Sequence, residues 1–137
     1  MEYRLEEIFD LRMGKTPSRN NPVYWEPNDN KWISIADLSK CGKYITDTKE
    51  YLSDIGVEES GISLIPINTV VMSFKLSIGK TAITSETMYS NEAIMSFRDR
   101  HIVEKKGKQK LIILIPLSKP DLSRCLEILI LMIKAGI

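Results

Sequence analysis

Histidine, glycine clusters and long apolar runs are scarce in this sequence, and each shortage closes off a class of function. One histidine, His101, stands in 137 residues, so a histidine-built metal cage or a cysteine–histidine pair would depend on a single side chain. The two cysteines, Cys41 and Cys125, lie at no motif spacing from it or from each other, and no secretory segment opens the chain. Both are expected to be reduced thiols of a cytoplasmic protein. The longest apolar run, Ile128 to Ile133, is far below a membrane span. No glycine-rich cofactor loop follows a strand pattern, which removes the basis for a methyl-donor site.

Two stretches contain Gly-Lys-Thr, the end of a phosphate-binding loop: residues 9–16, FDLRMGKT, and residues 74–81, FKLSIGKT. That loop needs a second glycine five residues earlier so that its backbone amides can wrap the phosphates. Phenylalanine stands there in both, Phe9 and Phe74, and a bulky aromatic removes the close approach glycine allows. The stretches match at five of eight positions, but their flanks differ: a turn-rich segment from Pro17 to Pro22 follows one, a strand-like Ala82-Ile83-Thr84 the other. A duplication extends over a structural unit of roughly 20 residues or more. The two are therefore similar strand-to-turn junctions, not copies.

What is present is an ordinary globular balance, 43% hydrophobic and 27% charged, in a length that suits one domain. The net charge of +1 hides an asymmetry: residues 26–60 carry four basic and eight acidic side chains, residues 75–110 eight basic and four acidic. Lys75, Lys80, Arg98, Arg100, Lys105, Lys106, Lys108 and Lys110 can supply a surface for a phosphate backbone, or can form a solvated face. The pattern along the chain reads as short strands with turns between them: Phe9–Met13, Trp32–Ile35, Tyr44-Ile45, Tyr51-Leu52, Thr69–Phe74, Gly79–Thr84 and Glu92–Phe97. Ser53 is a candidate N-cap for a helix over Asp54–Ser60, closed by Gly61. Ser118 three residues before Asp121 is a capping-box signature for a C-terminal helix with an apolar stripe through Leu122, Leu126, Leu129, Ile130 and Ile133.

Catalytic groupings are thin. Glu104-Lys105-Lys106 has the form of a Glu-x-Lys nuclease end, but a partner carboxylate at a suitable spacing is missing, since Asp99 lies only five residues upstream. The other polar side chains fit better as contacts. Between Gly14 and Pro22, prolines stiffen a loop that presents Lys15, Thr16, Ser18, Arg19, Asn20 and Asn21, an inventory for phosphate and base-edge hydrogen bonds. An ordinary surface loop whose Asn and Ser bond their own backbone accounts for it equally. Strand alternation puts Ser73, Lys75 and Ser77 on one face with Phe74 and Leu76 inward, and leaves Lys80 available at the turn. Trp25 and Trp32 can stack on bases, though core aromatics beside a loop are the commoner case.

The order Gly14-Lys15-Thr16-Pro17-Ser18, Tyr24-Trp25, Lys31 to Leu38 (KWISIADL), Val71 to Lys80 (VMSFKLSIGK) and Ser90 to Met95 (SNEAIM) resembles the target-recognition domain of type I restriction-modification specificity subunits, across roughly residues 3–98. The resemblance implies a mixed α/β, β-rich domain with short helices that lies against double-stranded DNA and reads one half of a split target. Residues 1–118 then form the recognition domain and residues 119–137 a C-terminal helix, either a shortened spacer or a packing helix. It implies no catalytic chemistry, cofactor or metal in the chain. The partners implied are modification subunits, which methylate adenine using S-adenosylmethionine, and restriction subunits, which use ATP to translocate and cleave DNA.

Carried over by position, Gly14, Thr16, Pro17, Trp32, Asp37, Gly79 and Asn91 match recurring family residues and are expected to be mostly scaffold. The candidate DNA contacts are Lys15, Thr16, Ser18, Arg19, Asn20, Asn21, Ser73, Lys75, Ser77 and Lys80. A full specificity subunit typically has two recognition domains separated by long helices, and this chain has room for one. A homodimer on a palindromic split site, with the apolar helix as its seam, would restore the second half. A module that docks on a DNA methyltransferase without touching DNA, and a degenerate fragment, are the competing readings.

Overall fold

Ile94 packs on one apolar surface and Met95 and Phe97 on another, and the larger sheet is organised around their strand. The computed structural model describes residues 2–4, 9–25, 28–75, 78–99 and 112–114. The expected C-terminal helix over 119–137, His101, the Glu104–Lys106 stretch, Leu76 and Ser77 all lie outside the described residues. In chain order the described elements are β1 (Glu2–Arg4), β2 (Phe9–Met13), a 3₁₀ turn (Pro22–Tyr24), β3 (Asn30–Ile33), α1 (Ile35–Lys40), β4 (Tyr44–Ile45), β5 (Glu50–Leu52), α2 (Asp54–Ser60), β6 (Val70–Ser73), β7 (Thr81–Thr84), β8 (Tyr89–Ser90), β9 (Ile94–Asp99) and β10 (Ile112–Leu114). The mixed α/β, strand-rich character expected from the sequence is what the structure has.

The larger sheet runs β2-β9-β6-β7-β4 and a smaller one β5-β3-β8, while β1 pairs in parallel with β10. β9 is antiparallel to β2 on one side and to β6 on the other, with Leu11 and Val70 both opposite Phe97. Those residues, with Phe9, Met72 and Met95, form one apolar layer, and Phe9 meets Phe97 edge-on at 5.8 Å. On the opposite face Val71, Ala82 and Ile94 pack with Ile33 of β3, Leu38 of α1, Ile45, Ile65 and Met88. β6 and β7 are therefore covered on both faces, which is why Val71 to Ser73 and Ala82 to Thr84 are buried without alternation. Buried hydroxyls have partners: Thr84 Oγ1 donates to the Pro66 carbonyl at 2.7 Å and accepts the Thr69 amide at 3.0 Å.

A third cluster, Trp32, Leu52 and Ile62 with Trp25, Val57 and Tyr89 against it, ties the smaller sheet to α2. α2 has the bounds its sequence signals predict: Ser53 Oγ accepts the Gly56 amide at 3.0 Å, and Gly61 closes the helix at φ 62°. The strand read through Ile35 instead ends at Ile33. Ser34 leaves the strand to cap α1, its hydroxyl accepting the Asp37 amide at 3.2 Å while the Asp37 carboxylate accepts the Ser34 amide at 2.8 Å. This capping box outcompetes the apolar run that suggested a continuing strand. Ser34→Ala removes the cap and is expected to cost about 1 kcal/mol of stability, read as a lower denaturant midpoint with an unchanged slope.

Candidate nucleic-acid interface

The loop that leaves β2 is rooted where no side chain fits. A Cβ on Gly14 would stand 1.9 Å from the Ser90 carbonyl oxygen and 2.4 Å from that of Asn91. Bare backbone lets the chain lie on that corner, with the Gly14 amide donating to the Ile94 carbonyl at 3.2 Å and the Lys15 amide to the Ser90 carbonyl at 2.9 Å. Trp32 Nε1 donates to the Lys15 carbonyl at 3.0 Å. The Asn91 amide donates to the Ile33 carbonyl at 3.1 Å, and Asn91 Oδ1 accepts the Ala93 amide at 2.9 Å. Stretches distant in the chain, 14–18, 31–38 and 90–95, thus meet at one junction. Gly14, Trp32 and Asn91 are scaffold there, as is Asp37 in its capping box and Pro17, which is buried.

Beyond the root, the loop holds its own shape. Lys15 Nζ donates to the Ser60 carbonyl at the end of α2 at 3.2 Å, where the helix presents its negative pole. The Thr16 hydroxyl donates to Glu92. Trp25 Nε1 donates to the Ser18 carbonyl at 3.1 Å, and Asn21 Oδ1 caps the 3₁₀ turn through the Val23 amide at 3.2 Å. Arg19 makes a two-pronged contact with Glu50, at 2.6 and 3.1 Å, and its guanidinium lies 3.8 Å from the centre of the Trp25 ring. Trp25 in turn meets the buried Trp32 edge-on at 5.0 Å. Both indole N–H groups serve loop carbonyls, so the tryptophans support the loop from beneath, the core role expected of them. Ser18 and Asn20 are exposed, and neither side chain makes a hydrogen bond among the described residues.

The second Gly-Lys-Thr turns between β6 and β7. The Ser73 amide donates to the Lys80 carbonyl at 2.9 Å, the Gly79 amide to the Ser73 carbonyl at 3.0 Å, and Gly79 takes φ 90°, a conformation that favours glycine. Ser73, expected on an outward polar face, is instead fully buried, its Oγ accepting the Lys80 amide at 3.1 Å. The alternation that suggested exposure does not apply to a strand covered on both faces. That strand also ends at Ser73, so Phe74, expected inward, is half-buried. Lys75 is exposed beside the Phe74 ring, at 5.7 Å, and Lys80 Nζ reaches the Ser39 hydroxyl of α1. Ser77 lies outside the described residues. Neither Gly14 nor Gly79 opens a helix, so the phosphate-loop geometry is not formed at either place.

Glu92 joins loop and hairpin. Donation by the Thr16 hydroxyl, then by its own backbone amide, holds its carboxyl below the usual glutamate range, and the nearby charges of Lys75 and Arg19 act in the same direction. The Phe74 amide donates to the Ala93 carbonyl at 3.0 Å, so the root of the hairpin and Thr16 of the loop both stand at this turn. Reading the chain alone did not reveal Glu50, Glu92, Ser39 or the Ser60 carbonyl as partners, because each is brought in by strand or helix placement. Arg98, grouped with the basic stretch, is used internally, donating to the Ser63 hydroxyl at 2.9 Å and to the Leu64 carbonyl. Among the described residues no group of three His, Cys, Asp or Glu side chains can hold a metal ion, and no helix is long and apolar enough to cross a membrane. Cys41 is a free, half-buried thiol.

The site is thus a strand-rich scaffold that holds a polar loop beside a lysine-bearing hairpin. The chain belongs to the family described as the type I restriction modification DNA specificity domain, whose model matches residues 1–125. It is 27% identical over 88 residues to the type I restriction enzyme EcoprrI specificity subunit of Escherichia coli, covering 64% of this chain and 21% of that protein. To the MjaIX specificity subunit of Methanocaldococcus jannaschii it is 26% identical over 105 residues, 76% of this chain and 23% of that one. The crystal structure of the HsdS subunit from Thermoanaerobacter tengcongensis shares the fold, with a TM-score of 0.55 at 18% identity over 74% of this chain and 24% of that chain. The matched region is thus under a quarter of each of these relatives' length.

Gly14→Ala is expected to displace the loop root and cost about 1–3 kcal/mol, the range for overpacking a tight site, measured by chemical denaturation. Because the Glu92 pKa is depressed, its contribution is complete above the ordinary value of 4.5 and is lost as pH falls through the folded value. The difference in melting temperature between wild type and Glu92→Gln should therefore shrink as pH is lowered below 4.5.

Proposed function

We propose that this chain is a non-catalytic domain that reads one half of a bipartite double-stranded DNA target for a type I restriction-modification complex. The observation that carries this is the meeting of the stiffened loop, through Thr16 on Glu92, and the hairpin root, through the Phe74 amide on the Ala93 carbonyl, in a chain of the DNA specificity family. In this reading Lys75 neutralises phosphate directly, Lys15 and Lys80 do so with the ammonium donors not used on the Ser60 carbonyl and the Ser39 hydroxyl, and Thr16, which donates to Glu92, flanks them. Asn20 and Ser18 are the side chains left to read base edges, Asn20 by a paired contact to adenine. Arg19 and Asn21 are engaged within the protein, so a guanine or phosphate contact by Arg19 requires exchange of its Glu50 partner. Ser73 acts from behind, closing the turn.

In this reading the chain works in the cytoplasm with modification and restriction subunits, which supply adenine methylation and ATP-dependent cleavage. A second recognition domain, or a second copy of this chain, reads the other half-site. The chain needs no cofactor for its own part.

Selection from a randomised duplex pool, with and without a modification subunit, should enrich a defined half-site. The affinity of the selected duplex should fall steeply with salt, and changing Lys15, Lys75 and Lys80 together to Ala should reduce the slope of log affinity against log salt by about 2.7, at about 0.9 per phosphate. A flat salt response, or no enrichment in either condition, would overturn the reading and favour a module that docks on the methyltransferase alone.

A further inference from the structure

We infer that the phosphate-contacting surface continues past the hairpin onto the C-terminal end of α1, where Lys40 and Lys43 form a second track for the sugar-phosphate backbone. The inference rests on the DNA-reading proposal above and adds residues to it. Lys80 Nζ bonds the Ser39 hydroxyl, so the hairpin ammonium sits against the last turn of α1, immediately before Lys40. The Ile83 amide donates to the Lys43 carbonyl at 2.9 Å, and β4 runs parallel to β7 with Tyr44 opposite Ile83. Lys43 therefore enters the sheet beside the strand that Lys80 leads into.

Arg12, Arg19 and Lys31 each have a carboxylate partner, whereas among the described residues Lys40, Lys43, Lys75 and Lys80 make no ion pair. Lys40 and Lys43 are both exposed, and a Cβ added at Gly42 between them would meet nothing within 4 Å. The Asp37 carboxylate, the acid of α1, is turned to the opposite end of that helix, where it accepts the Ser34 amide at 2.8 Å and the Lys49 amide at 3.2 Å. A basic residue in the last turn of a helix is explained by the negative pole there, and that covers Lys40 alone. It does not account for Lys43, whose ammonium lies 5.5 Å from the ring centre of the exposed Tyr44, or for the adjoining hairpin lysines.

The path runs from Thr16 on Glu92, past the Phe74 amide on the Ala93 carbonyl, to Lys75 in the hairpin, and from Lys80 on Ser39 to Lys40 and Lys43. A set of ammonium groups without ion-pair partners among the described residues, with the Ser39 hydroxyl and the Tyr44 ring beside it, suits a polyanion. A sugar-phosphate backbone is such a partner, and it is the one the loop already addresses.

The test compares the full chain with Lys40→Ala/Lys43→Ala and Lys40→Arg/Lys43→Arg on the selected duplex and on an unrelated one, across a salt series. The alanine pair should reduce the salt slope by about 1.8, so that its affinity deficit relative to wild type shrinks about tenfold between about 50 and 200 mM salt. The deficit should be the same on both duplexes, the melting temperature unchanged, and the arginine pair equal to wild type. A slope equal to wild type in the alanine pair would overturn the inference while leaving the DNA-reading proposal intact. A deficit confined to the selected duplex would also overturn it, because that places the lysines on bases. A wild-type chain with no salt-dependent binding would overturn both.

Discussion

The packing of the Gly14 backbone against the carbonyls of Ser90 and Asn91 is the contact on which the recognition surface depends. It fixes where the loop leaves β2, and it does so with atoms that no substitution can vary except by adding bulk. From that corner the Lys15 carbonyl accepts the buried Trp32 indole, and Trp32 carries Trp25, over which Arg19 lies. Each step places the next. The loop is thus held by a stack that begins in the smaller sheet and ends at the surface, and its stiffness comes from the scaffold as much as from its prolines.

Stiffness of this kind bears directly on recognition. A loop ordered before binding avoids the ordering cost that a mobile one incurs when it closes on DNA. Glu50 and Glu92 do that work in the free protein, yet both are acids beside a surface proposed to meet a polyanion. Their charges are offset by Arg19 and by the lysines around them, so the acids orient the cations without making the surface repulsive. Exposed pairs of this type add little to global stability. Their value is positional.

Local signals were the legible part of the sequence. Ser53 and Gly61 bounded α2 because a cap and a left-handed stop are decided within a few residues. The strands of the larger sheet were recognisable from β-branched and apolar runs, and the tryptophans as supports rather than stacking platforms. α1 is hidden in the sequence although Ser34 and Asp37 carry its capping box, because the apolar Trp32–Ile35 run masks the switch. Alternation places Ser73 outward because it assumes one wet face, and only the sheet order and the two apolar layers show that β6 has none. The Arg19–Glu50 and Thr16–Glu92 pairs span 31 and 76 residues, distances over which one sequence carries no pairing signal. Family resemblance located the scaffold residues; it did not distinguish side chains committed to the fold from those left over.

Ser18 and Asn20 are the ones left over. Every neighbour in the loop has a structural duty, whereas these two side chains have none among the described residues. Under the proposed reading, positions 18 and 20 are where the side chain can be exchanged at the contact surface without removing any side-chain hydrogen bond of the described residues, so the binding preference is set apart from the scaffold that presents it.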